Sequence, residues 1–447
     1  MLFRTSISAL LVALGSVAAQ APVSAREMQV RLSELSETLR WHGTTKSTYS
    51  AVDPAARAAH STLIRLAATN PRAVPRAQEF IETLGRLVSE SKFLLELSKP
   101  RTYQPGFYDG APFLTGAMNE WHHTINIMMA NLQRPSGYRQ PRPRSKVNGG
   151  NSGRISKSTK PGTEFRDWKD GPTMVVIPTG SYMSGSTEEE LRSWNVTTDK
   201  WRNELPHRRV RISKPLAFSR TEVELRQFED FVRETNYKPR GGARWWDPSD
   251  PTQMVFRKKI NYRNPGFPQT PNCPVVAITI QDARAYARWL SVVTGHKYRL
   301  PSEEEWEWAA RGGTNTTFFW GNDVTEANLW ANTYDQTADK ANHFQWKATP
   351  GTDGFAYTAP VASFRPNGYG LYDMIANARE FMEDSWVGYL GSSANDGSVH
   401  RGPAPFPVLR GAAWDYTVRN LRINYRDPYY SSEVASNMFG MRLVREL

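Results

Sequence analysis

Apolar residues along this chain fall into two patterns, helical spacing in some stretches and short runs closed by glycine or proline in others. After Pro75, the segment AQEFIETLGRLVSESKFLLEL spaces Phe80, Leu84, Leu87, Leu94 and Leu97 as one helical face, and Asp53-Pro54 reads as a helix start, a cap followed by a first-turn proline. Trp121 to Leu132 predicts a further helix. In EVELRQFEDFVRETN a helix is expected from near Glu224, with Leu225, Phe228, Phe231 and Val232 as its buried stripe. Thr279 to Gly295 predicts another, closed by Gly295. The strongest signal is RLPSEEEWEWAARGG, where Ser302 and Glu305 form a capping box and Gly312-Gly313 stop the helix near Arg311. Trp306 and Trp308 stand two apart on it, so one is expected in the core and the other lining a groove. Val175-Val176-Ile177, followed by Pro178 and Gly180, predicts a strand entering a turn. The fold class expected is α+β.

The start of the chain changes the picture of where the protein acts. One basic residue, Arg4, an apolar run short for a membrane span, and Val23-Ser24-Ala25 together predict a Sec-type signal peptide cut after Ala25. No later stretch is apolar enough for a transmembrane helix, so a periplasmic or secreted protein is expected. Residues 26–133 read as a small all-α domain. His122 and His123 are adjacent and diverge by about 100° on a helix, so this domain reads as a docking or packing module and not as a metal site. Residues 134–170 read as a basic, Pro/Gly-rich linker, with eight lysines and arginines and no acid between Arg134 and Lys160. It is expected to be a solvated tether or a contact for an anionic envelope component. Net charge is +12, which favours acidic partners, and export argues against nucleic acid. Cys273 is the only cysteine, so no internal disulfide is possible.

Residues 171–447 carry a set of motifs in a fixed order. CPVVAITIQDARAYARWLSVVTG (Cys273 to Gly295) precedes the capped helix, and FFWGN (Phe318 to Asn322), ANLW (Ala327 to Trp330) and TAPVASFRPNGYGLYDMIANAREF (Thr358 to Phe381) follow it. VLRGAAW (Val408 to Trp414) and FGMRLV (Phe439 to Val444) close the series. With TMVVIPTGSYMSGS at Thr173 to Ser186, the stretch to Glu446 resembles the formylglycine-generating enzyme, or sulfatase-modifying factor, family. The resemblance implies a C-type-lectin-like fold with little regular secondary structure. His207, in ELPHRRV, matches a family position and reads as a structural histidine, and Ala287 stands where the family usually has an inner cysteine.

The resemblance also implies two calcium sites, since a hard cation takes carboxylates, amide oxygens and backbone carbonyls. The first would use Asn328, the carbonyl of Leu329, Asp353 and the carbonyl of Phe355. The second would use Asp373, the carbonyls of Ala376 and Ala378, and Glu380, with Asp373 and Ala376 where relatives often carry Asn and Gly. Family members that make formylglycine hold copper on two cysteine thiolates just after the RGGSW-like motif, and soft thiolates are what Cu(I) selects. Here that motif is Arg410-Gly411-Ala412-Ala413-Trp414, and the thiolate positions fall at or near Tyr416 and Leu421. No copper is therefore expected, and Cys273 reads as a small buried residue.

Trp386, Trp414, Asp415, Tyr416, Arg422 and Arg426, with Arg419 and Tyr425, are expected to form a polar, aromatic pocket for an anionic or peptide-like ligand. Arg410 and Arg426 are expected in buried ion pairs. Two functional classes stay open. One is an exported, calcium-stabilised binding or scaffold protein of the cell envelope with a protein or peptide partner. The other is a periplasmic oxidoreductase that acts on a peptide or siderophore-like substrate with a different cofactor.

Overall fold

The computed structural model describes residues 155–196, 203–247, 250–401, 407–426 and 435–447, and, nearer the start, Lys46–Thr69 with scattered helical positions between 27 and 88. The chain divides into two compact units, Met1–Gln140 and Pro141–Leu447. The expected signal peptide, the Trp121 to Leu132 helix, the histidine pair and most of the basic linker lie outside the described residues.

In the first unit, α1 (Lys46–Thr69) buries Ala56, Ala59, Leu63 and Leu66 on one face. It begins before Asp53-Pro54 and carries Pro54 inside it, which corrects the expected start. Ile81, Leu84, Gly85 and Val88 are helical, in line with the spacing after Pro75, and Leu84 is fully buried.

The second unit is built on an antiparallel sheet ordered β1-β2-β5-β12-β8: Glu164–Phe165, Met174–Ile177, Leu216–Ser219, Val444–Glu446 and Tyr298–Arg299. Val175 pairs with Phe218 and Val444 pairs with Phe218 from the other side, so the chain's last strand sits inside the sheet. β1 lies within the stretch read as linker, since Glu164 and Phe165 pair with Val175 and Met174, and the folded unit starts before residue 171. Two hairpins flank the sheet, β3 (Gly180–Ser184) with β4 (Arg208–Ile212) and β6 (Ala243–Asp247) with β7 (Asp250–Arg257). A three-stranded sheet places β9 (Arg379–Ser385) between β10 (Pro407–Arg410) and β11 (Phe439–Gly440). Long loops join these elements, as expected of an α+β fold with little regular structure.

Helices form where caps and stripes predict them. α2 (Glu188–Ser193) is a short turn capped by Thr187, and α3 (Leu225–Thr235) starts from Glu224 and buries Leu225, Phe228 and Phe231. α4 (Ile280–Thr294) has a Thr279–Asp282 capping box and stops at Gly295 in the left-handed region. α5 (Glu303–Arg311) has the Ser302–Glu305 box and ends at Gly312, φ 58°. A Cβ on Gly312 would stand 2.8 Å from both Asn367 Cγ and the Gly368 amide nitrogen, so glycine is required for backbone and space alike. Both tryptophans of α5 are buried, which corrects the groove-lining expectation. Trp306 donates to Glu380 Oε2 at 2.7 Å, and Trp308 donates to the Pro178 carbonyl at 2.8 Å and packs beneath Gly180. Every residue of α5 is buried because strands and loops enclose it on all sides. α6 (Ala327–Trp330) and α7 (Gln336–Asn342) then lead through loops to β9.

Candidate functional site

Four glutamates on a helix buried all round need partners, because an unpaired charge out of water is very costly. Glu303 accepts from Arg410 Nη1 at 2.8 Å and from Arg426 Nε and Nη2 at 2.6 and 3.0 Å. Burial alone would raise its carboxyl, but the two guanidiniums outweigh burial and hold it below the ordinary range. Glu307 accepts from Arg311, Arg410 and Ser184, and Glu305 receives a two-pronged contact from Arg299. Glu304 has one partner, Arg208 at 2.7 Å, and its Oε2 is buried without a donor. Burial, with Glu303 alongside, pushes it up to about 7. α5 is thus a hub of ion pairs on which the 410–426 loop is fastened.

That loop holds most of the residues expected to face a ligand, and the structure turns them inward. Arg426 is fully buried. Besides Glu303 it donates to the Asn203 and Val387 carbonyls at 2.6 and 2.9 Å and lies 4.2 Å from the Trp386 ring centre. Arg422 makes a two-pronged contact with Glu204 at 2.7 and 2.8 Å. Asp415 accepts from Trp246 Nε1 at 2.6 Å, and its carbonyl accepts from Trp346. Trp246, Phe344, Trp346, Phe267 and Tyr357 fill the space around Asp415 and Trp414. Tyr416 is buried and accepts from Arg379 Nη1 at 3.3 Å through its hydroxyl; its ring lies 6.1 Å from that of Tyr425. Arg419 is exposed, and it donates to the Asn195 carbonyl. Trp246 and Trp346, absent from the sequence reading, come from the β6–β7 hairpin and an irregular loop, neither of which spacing could attach to Asp415. Leu421 is buried and apolar. Cys273 is buried beside Thr270 and the Thr358 carbonyl, well apart in the chain from Tyr416 and Leu421. These residues do not offer the thiolate pair that copper needs.

An open cleft of about 420 Å³ lies beside this loop, walled by Ser186, Leu205, Pro206, His207 and Tyr389. Its two lips are pinned by one side chain, since Arg426 binds Asn203 on one and Val387 on the other. His207 Nδ1 lies 3.0 Å from the Gly185 carbonyl, which can only accept, so Nδ1 carries the proton and Nε2 is left for the cleft. Gly185 is required at its turn, φ 79°, because a Cβ would lie 2.5 Å from the Glu204 carbonyl.

The expected calcium ligands lie on the 328–355 and 373–380 stretches. In the first, Asp353 accepts from the amides of Thr333 and Phe355 at 2.8 and 2.9 Å, and burial, with Asp335 adjacent, pushes it up to about 7. Asn328 donates through Nδ2 to the Pro350 carbonyl, and its Oδ1 is buried without a donor, as an oxygen reserved for a cation would be. Leu329 follows it on α6 and is exposed.

In the second group, Asp373, Ala376 and Asn377 all take left-handed backbone at φ 54°, 67° and 58°, a tight turn in which Asp373, Ala376, Ala378 and Glu380 are buried. Glu222, which no sequence motif marks, joins them. It is fully buried, accepts from Asn377 at 3.1 Å and touches Asp373. Burial and the Asp373 charge hold Glu222 well above the ordinary carboxylate range, and burial pushes Asp373 up to about 6. Arg442 is bonded to Glu380 at 2.9 Å, and Trp306 takes the other Glu380 oxygen. Glu222 and Asp373 share a hydrogen bond and Glu222 keeps a proton there, so three carboxyls around one guanidinium leave about one negative charge in excess; a divalent cation would let both ionise. Among the described residues, no three His, Cys, Asp or Glu side chains converge as a metal site, so carbonyl and amide oxygens would have to complete either group.

A family model described as the sulfatase-modifying factor enzyme 1-like domain matches residues 160–447. The formylglycine-generating enzyme of Bos taurus is 31% identical over 267 residues, which cover 52% of this chain and 62% of that protein's length. That of Thermomonospora curvata is 32% identical over 241 residues, 48% of this chain and 71% of the relative. The inactive C-alpha-formylglycine-generating enzyme 2 of Mus musculus is 31% identical over 269 residues, 54% and 74%. Among solved structures, that of PvdO from Pseudomonas aeruginosa aligns with a TM-score of 0.52 and 29% identity, covering 65% of this chain and all of that one.

Proposed function

The chain belongs to the sulfatase-modifying factor enzyme 1-like family, and from that premise we propose that it is an exported binding or scaffold protein of the cell envelope, stabilised by two calcium ions and without copper chemistry. The observation that carries the reading is the donor set after Arg410-Gly411-Ala412-Ala413-Trp414. Two thiolates would be needed there, and the one cysteine in the chain is buried beside Thr270. The mouse relative whose name marks it as inactive supports a family fold that persists without the reaction. The cleft at Leu205, Pro206, His207 and Tyr389 is the surface offered to a protein or peptide partner, with Arg422 and Arg426 positioning its walls from behind.

Calcium would be held by Asn328, Asp353 and the carbonyls of Leu329 and Phe355 in one site, and by Asp373, Glu380, Glu222 and the carbonyls of Ala376 and Ala378 in the other. Bound there, it supplies charge neutralisation and ties loops together in a unit that has no disulfide. The signal peptide and the basic tether would deliver this unit to an anionic envelope component.

The test is incubation of the purified full chain with copper, oxygen and a cysteine-bearing sulfatase peptide, followed by mass spectrometry of the peptide. No formylglycine should form, and turnover above the copper-only control would defeat the reading. A second reading, an oxidoreductase with a different cofactor, draws on the likeness to the PvdO structure over that chain's whole length. Copurification of a stoichiometric redox cofactor would favour it.

A further inference from the structure

The first calcium group contains more oxygen donors than the family resemblance supplies. Asp335 is fully buried at the start of α7, where its Oδ1 caps the helix by accepting from the amides of Thr337 and Ala338 at 2.7 and 3.0 Å. Its other oxygen accepts from the Asp353 amide, and the two side chains touch. Neither carboxylate has a lysine or arginine partner among the described residues. Two buried carboxylates in contact need a counter-charge.

Two further oxygens belong to residues tied to them through the backbone. Thr333, whose amide binds Asp353, and Thr349, which bridges to Asp335, are buried, and the Oγ1 of each has no hydrogen-bond partner. Buried hydroxyls in native proteins are nearly always satisfied, so an unsatisfied pair next to an uncompensated pair of carboxylates points to a missing ligand. Asn328 Oδ1 is a third such oxygen. Gly351 makes the approach possible, because at φ 96° a Cβ there would lie 2.2 Å from Asn328 Nδ2. The donors are all oxygen, with no nitrogen or sulfur among them, which suits calcium and disfavours the transition metals.

We propose that Asp335 is a second carboxylate of the first calcium site, with the Thr333 and Thr349 hydroxyls as neutral oxygens around the ion. The inference rests on the calcium part of the function proposed above and goes beyond it in naming residues that the family resemblance does not supply. The site then carries two negative charges for a divalent ion, in place of one, and couples the ion to the start of α7.

The test is calorimetric titration of the calcium-stripped full chain with calcium chloride, in the parent and in Asp353→Asn and Asp335→Asn. Asparagine keeps an acceptor for the α7 cap but loses the one that receives the Asp353 amide, so the calcium-free melting temperature of each variant is measured alongside and the titrations are run well below it. Asp353→Asn identifies which binding phase belongs to the first site. Asp335→Asn is expected to weaken that same phase at least ten-fold and leave the other unchanged. An unaltered first phase in Asp335→Asn, beside a weakened one in Asp353→Asn, overturns the inference and leaves the calcium reading standing. Absence of any calcium binding by the parent overturns both. Should Asp335→Asn fail to fold, Thr333→Val takes its place, with a three-fold or greater weakening of the first phase expected and no change contradicting the proposal. Terbium(III) luminescence sensitised by Tyr334 and Trp330 gives an independent readout of the same site.

Discussion

Replacing Glu304 by glutamine should make the protein more stable at alkaline pH and change little in acid. Glu304 is 2% exposed, lies between Glu303 and Asp384, and has Arg208 as its ion-pair partner. Burial first, and the Glu303 charge second, move its carboxyl from 4.5 to about 7. A folded-state value above the unfolded one means that the folded chain keeps a proton the unfolded chain releases. The stability linked to that proton is whole below about pH 4.5 and is lost as pH rises through about 7. At about 1.4 kcal/mol per pH unit between the two values, the loss is on the order of 3 kcal/mol. Glutamine stays neutral throughout and still offers an oxygen to Arg208. Asp384, itself held well above the ordinary range by burial and then by Glu304, would ionise more readily in the variant, which adds in the same direction. Urea unfolding of both proteins in saturating calcium, at pH 5 and pH 8, measures the effect. The variant should gain on the order of 3 kcal/mol on the parent between the two pH values. An equal difference at both would refute the reasoning.

Four other outcomes follow from the same structure. Arg410→Met leaves Glu303 and Glu307 with fewer partners inside the molecule and should cost roughly 3–5 kcal/mol, read as a fall in melting temperature or loss of soluble protein. Gly312→Ala meets both a left-handed backbone and the 2.8 Å approach of Asn367, and should cost at least about 1 kcal/mol; no change in the urea midpoint would mean that the turn has another conformation open to it. Glu222→Gln should reduce the rise in melting temperature that calcium produces, while Cys273→Ser should leave that rise intact.

Helix starts and stops were legible because they are local. Ser302 with Glu305, Thr279 with Asp282, and Gly295 and Gly312 act on neighbours three or four residues away, and those helices stand where the spacing predicts. Family membership was legible because a set of motifs recurs in order. What spacing could not show is which charged residues meet across the chain. Arg422 looks like a ligand-binding group until Glu204, more than two hundred positions earlier, is found bonded to it, and the buried ion pair expected of Arg426 could not be assigned to Glu303 from spacing. Trp308 followed the same logic, since the Pro178 carbonyl that receives its indole proton belongs to a distant turn. Glu222 and Asp335 escaped notice because each lies in the sequence as an ordinary residue beside a strand end or a helix cap. Only the fold brings Glu222 to Asp373 and Asp335 to Asp353.

Elemental analysis by plasma mass spectrometry, on the full chain purified without chelators, bears most directly on the central claim. The account predicts about two calcium ions per chain, matching the two oxygen-donor groups, and no stoichiometric copper. A chain that carries copper or iron in stoichiometric amount, or that holds no calcium at all, would contradict it.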